Sequence, residues 1–110
     1  MGEVVDRSFF QEASSTIRIA IEAVRQSDTK RNKAVLALAR HNAERIGYTW
    51  DSLPWRNDDL IKNDQAYFVM NAMDSIDMLI EAGFIDAEVP PEAIEYRRAG
   101  KAHHNSMFPG

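Results

Sequence analysis

Residues 8–27 read S-F-F-Q-E-A-S-S-T-I-R-I-A-I-E-A-V-R-Q-S and contain neither glycine nor proline. Phe10, Ala13, Ile17, Ala20, Ile21 and Val24 recur at three- and four-residue steps. That spacing places them on one side of an α-helix, because a strand would need an apolar residue at every second position. Ser8 with Gln11 fits a capping box, in which the serine hydroxyl accepts from the Gln11 amide and the glutamine side chain reaches back. A helix over about 8–27 is expected, and it sets the class of the chain.

Working outward, a second helical stretch covers about 29–46, with Val35, Leu38, Ala39 and Ile46 as its apolar stripe and Leu36 and Ala43 beside it. Gly47 is a natural residue to end it. Ser27-Asp28-Thr29 offers capping side chains between the two but no strong breaker. The pair could be a tight hairpin or one long bent helix, and the hairpin is favoured because a monomer must fold back to bury both stripes. Tyr48 to Asn57 holds Tyr48, Trp50, Trp55 and Pro54, and reads as an ordered loop whose aromatics pack on the helices.

Asn57-Asp58-Asp59 can cap a third helix over about 58–82, with Ile61, Val69, Ala72, Met73, Ile76, Leu79 and Ile80 inward. Gly83 ends it, and Phe84 and Ile85 are expected to fold back as the apolar contact of that end. Pro90-Pro91-Glu92 starts a short fourth helix over about 91–99, closed by Gly100. Residues 101–110 read as a tail. No stretch alternates at period two. The expectation is an all-α bundle of three main helices plus a short C-terminal one, with residues 1–100 as a single domain.

With 110 residues, 45% hydrophobic and 27% charged, the chain has the composition of one ordinary globular domain. It has no cysteine, which excludes disulfides, thiolate nucleophiles and cysteine-based zinc sites. The acidic start Met1-Gly2-Glu3-Val4-Val5-Asp6 is unlike a secretory signal, no apolar run is long enough to span a bilayer, and a cytoplasmic location is expected. The net charge of −4 is unevenly spread. Residues 1–47 hold eight Lys or Arg against six Asp or Glu, and residues 48–110 hold five against eleven.

Four groups of residues invite a functional reading. His103-His104 in the tail, with His41, lacks any metal-binding spacing, so no metal and no cofactor is expected. Asp74, Asp77 and Glu81 lie at i, i+3 and i+7 on one helix face, with Asp64 upstream. They suit a basic partner if they are exposed together, and a plain solvated face otherwise. Lys30, Arg31, Lys33 and Arg40 place cations at the start of helix two, against the helix dipole, which would suit phosphate. The competing reading is that they pair with acids of helix three or of the C-terminal segment. Trp50 and Trp55, flanking Pro54, either staple the loop to the core, with Asp51 capping the local turn, or anchor a partner.

Residues 43–84 carry a resemblance. A-E-R-I-G-Y-T-W-D-S-L-P, a polar helix, and then I-D-M-L-I-E-A-G-F resembles a small helical module of phage and prophage proteins. That module has a W-D-x-L-P turn between helices and ends in G-F or G-Y. The turn is also similar to that of the RyR-type repeat, although the longer insert and His-Pro element of that repeat are missing. The resemblance implies a small interaction module of phage or mobile-element type, and it brings no enzymatic residues.

No Ser–His–Asp arrangement, phosphate loop or metal signature is present, so an enzyme is not expected. The leading expectation is a non-catalytic protein-binding accessory module, with an inhibitor or anti-defence protein within that class. Its contact residues would be Trp50, Trp55, Asp74, Asp77 and Glu81. The alternatives are a nucleic-acid-binding module using Lys30, Arg31, Lys33 and Arg40, and a structural subunit of a homo-oligomer.

Overall fold

The computed structural model describes residues 7–57 and 63–107, and side chains within 15–57 and 63–99. Among the described residues four helices follow one another: α1 (Arg7–Val24), α2 (Lys30–Arg45), α3 (Gln65–Glu81) and α4 (Pro91–Met107), with a 3-10 turn at Trp50–Ser52. Among the described residues there is no strand. The all-α bundle read from the apolar periodicity is the architecture of the chain. No helix among the described residues is long and apolar enough to cross a membrane.

The core forms where the apolar faces meet. Ile17, Ala20, Ile21 and Val24 of α1, Val35, Ala39 and Ala43 of α2, and Ala66, Phe68, Val69, Ala72, Met73 and Ile76 of α3 make one buried cluster. The α2 contribution is an i, i+4, i+8 row of small residues, which lets the α3 backbone come close. The most extensive packing is α2 on α3 and α1 on α4, whereas α1 and α2 meet over little more than their junction. The chain does break between them, so they are two helices. They do not lie side by side as a hairpin, because each buries its stripe mainly against a later helix.

Both predicted glycine ends are formed. Gly47 and Gly83 have φ of 105° and 87°, the left-handed region. Tyr48 N–H donates to Ala43 O and Gly47 N–H to Glu44 O, and Phe84 and Gly83 repeat the pattern on Leu79 and Ile80. These are paired Schellman closures. A side chain at Gly83 would meet nothing within 4 Å, so backbone strain alone governs its replacement. Gly83→Ala is expected to cost about 1–2 kcal/mol in chemical unfolding.

Several element boundaries differ from the sequence expectation. α1 already includes Arg7, which puts Ser8 inside its first turn instead of at its cap. α3 starts at Gln65, with Asp64 in extended geometry as its N-cap, seven residues later than the expected 58. The expected cap at Asp58-Asp59 and the inward Ile61 lie outside the described residues. Ile46, assigned to the α2 stripe, is exposed, as is Phe84, and of the pair expected to fold back after Gly83 only Ile85 packs against the core. α4 runs through Gly100 to Met107 instead of stopping there, so residues 101–107 are helix, while 108–110 lie outside the described residues. One mid-helix glycine costs only about 1 kcal/mol against alanine, and the next proline is Pro109.

Candidate partner-binding surface

Two residues expected on the surface are buried against each other. Arg31 opens the α2 ridge that continues through Val35, Ala39 and Ala43, and Asp77 sits beside Met73 and Ile76 on α3. Each is only 2% exposed. Arg31 Nε donates to Asp77 Oδ1 at 2.8 Å and Nη2 to Oδ2 at 2.7 Å, a two-point match of guanidinium to carboxylate. Arg31 Nη1 also donates to Asn32 Oδ1 at 2.9 Å. The buried Asn32 amide in turn donates to Ala23 O, Ser27 O and Ser27 Oγ. One polar chain thus ties the end of α1, the start of α2 and the middle of α3 together.

This arrangement corrects both candidate sets. Arg31 is not available to phosphate, and Asp77 is not available to a partner. Pairing with an acid of helix three, the competing reading for the basic cluster, is what Arg31 does. Lys30, Lys33 and Arg40 remain exposed. Lys33 lies 3.5 Å from Asp28, and Arg40 pairs with Glu44 one turn on. Thr29 Oγ1 accepts from Asn32 N–H, so the hydroxyl closes part of the α2 N-terminus itself. A groove of about 490 Å³ beside that end is lined by Lys30, Arg31 and Asn32, and also by Glu88 and Glu92. Acid on the facing wall offsets the cations.

The tryptophan loop is fastened to the bundle. Trp55 Nε1 donates to Glu22 Oε2 at 2.9 Å, and the Arg25 guanidinium lies 4.4 Å from the centre of the Trp55 ring. Trp50 packs against the core, and its carbonyl accepts from Gln65 Nε2. Gln65 N–H donates to Pro54 O, and Arg56 holds the buried Asp64 through two hydrogen bonds of 2.8 and 3.3 Å. Ser52 Oγ, donating to Thr49 O at 2.6 Å, closes the local turn in the place expected of Asp51. Both tryptophans are half-buried. Trp55→Phe keeps the ring over Arg25 but removes the donor to Glu22, and is expected to cost about 1 kcal/mol by chemical unfolding.

The outer side of α3 is different. Asp74, Met78 and Glu81 recur at four- and three-residue steps opposite the core and are all exposed. Met78 is 59% exposed and Phe84, just past the Gly83 turn, is 80% exposed. Glu81 pairs with Arg97 of α4. Partial loss of hydration and the neighbouring Asp77 raise the Asp74 carboxyl above its ordinary value, with Arg97 pulling the other way. Burial raises the Tyr96 phenol, and Asp74 adds to it. Met78 falls outside the apolar three- and four-residue steps, and that is the sequence signal of its exposure. Phe84 departs from the expected fold-back, although the residue after a Schellman glycine usually packs on the helix.

Comparison with known proteins returns no family model that matches the chain, and neither a curated protein nor a solved structure matches it.

Proposed function

We propose that this chain is a non-catalytic protein-binding module whose contact surface is the outer face of α3 with the turn that follows it. The observation that carries the reading is Phe84, 80% exposed on a turn held by hydrogen bonds to Leu79 and Ile80. An aromatic ring in water on an ordered backbone is costly to leave uncovered and loses little entropy on binding. Met78 adds an adaptable apolar contact, and Asp74 and Glu81 edge it with charge. Trp50 and Trp55 hold the loop and the start of α3 in place. The phage or mobile-element setting comes from the W-D-x-L-P resemblance alone, and an inhibitor of a basic enzyme surface belongs to the same class.

The test compares wild type with Phe84→Ala as bait in native lysate, alongside light scattering at low and moderate salt. A captured protein that Phe84→Ala loses, with the unfolding midpoint unchanged, supports the reading. Equal capture by both forms rejects it. A stable homo-oligomer that Phe84→Ala leaves intact, with no captured protein, would favour the structural-subunit alternative instead.

A further inference from the structure

Between Asn71 and Tyr96 the chain holds seven carboxylates and no lysine or arginine. Three are neutralised from outside that span: Asp77 by Arg31, Glu81 by Arg97 and Glu95 by Arg98. Glu88 and Glu92 line the groove beside Lys30, whereas Asp74 and Asp86, both exposed, have no ion pair among the described residues. Met78 and Phe84 lie between them in the chain, the two most exposed large apolar side chains of α3 and its closing turn. We infer that the occupant of this face is a cationic segment of another protein, in which an apolar anchor is flanked by Lys or Arg.

The inference rests on the reading of this face as a binding surface, and it names the partner's chemistry. Carboxylates that stay unpaired around an apolar contact reject acidic partners and speed encounter with basic ones. A nucleic acid would be repelled here. A second copy is a poor occupant, since each copy carries a net charge of −4 and would present the same carboxylates. Of its own basic side chains, Lys33 and Arg40 already face Asp28 and Glu44, and Lys30 shares a groove with Glu88 and Glu92. A foreign basic segment has neither handicap.

The experiment titrates the isotope-labelled full chain with two synthetic amphipathic helical peptides of equal length and apolar content. One carries Lys on its polar face and the other Glu. The Lys peptide is expected to shift resonances of residues 74–86 and the Glu peptide to leave them unmoved. Its affinity should fall several-fold between about 50 and about 300 mM salt. Phe84→Ala should weaken it about tenfold, and the double variant Asp74→Asn, Asp86→Asn by a similar factor. All three side chains are exposed, so an unchanged unfolding midpoint verifies that the variants fold. Equal shifts from both peptides, shifts scattered over the surface, or full affinity in the double variant overturn the inference. The two levels separate in native lysate. Capture lost with Phe84→Ala but kept by the double variant leaves the binding face standing and removes the cationic partner. Capture kept by Phe84→Ala removes both.

Discussion

Replacing Asp77 with alanine is expected to lower the free energy of unfolding by about 3–5 kcal/mol, because it leaves the Arg31 guanidinium buried without its counter-charge. A domain of this size has only about 5–15 kcal/mol in hand, so the variant should sit near the edge of folding at room temperature. The loss belongs to the orphaned charge more than to the bond. The double variant Arg31→Met, Asp77→Leu, of similar volume and without charge, should therefore recover most of it. Chemical denaturation of the wild type, both single variants and the double variant gives the coupling directly. Single variants each costing under about 1 kcal/mol would show that the pair is solvated in solution.

The second large effect is expected at Ile21. Its side chain is fully buried where α1 meets the rest of the core. Ile21→Ala should cost about 2–5 kcal/mol, from lost transfer free energy and the cavity left behind. The measurement also reports on topology. α1 packs chiefly on α4, with a smaller contact on α3. If that arrangement holds, Ile21→Ala should destabilise the whole domain in one transition. An early, partial loss of helicity with the remainder unaffected would mean that α1 frays independently of the α2–α3 pair.

Set beside these, the sequence was most legible where local chemistry decides. The inner stripes of α1 and α3 could be read from spacing, because Ile17, Ala20, Ile21 and Val24, or Val69, Ala72, Met73 and Ile76, admit one helical face. Gly47 and Gly83 marked ends because left-handed backbone there favours glycine. The start of α3 was not legible. Asn57-Asp58-Asp59 and Asp64 are both good caps by composition, and the choice falls to tertiary bonds: Gln65 N–H to Pro54 O, and Arg56 to Asp64.

The same holds for the candidate site. Arg31 and Asp77 are 46 residues apart, and no local rule pairs them. Yet each interrupts an apolar row, Arg31 four residues before Val35 and Asp77 four after Met73. Opposite charges on two inward rows were the legible sign that both would be buried together. Trp50 and Trp55 drew attention as unusual residues, but rarity does not separate a staple from an anchor. Only the Glu22 and Arg25 contacts do so for Trp55. Phe84 went the other way, since Ile85 takes up the packing that the glycine rule assigns to the residue after Gly83.

The most direct test of the central claim, that the outer α3 face is where this protein meets its partner, is site-specific photo-crosslinking in native lysate. A benzophenone side chain replaces Phe84 in one sample and Ala37, exposed on α2, in another. A discrete cross-linked product is expected from position 84, weakened by rising salt, and none from position 37. A product from position 37 alone, or the same products from both, would contradict the claim.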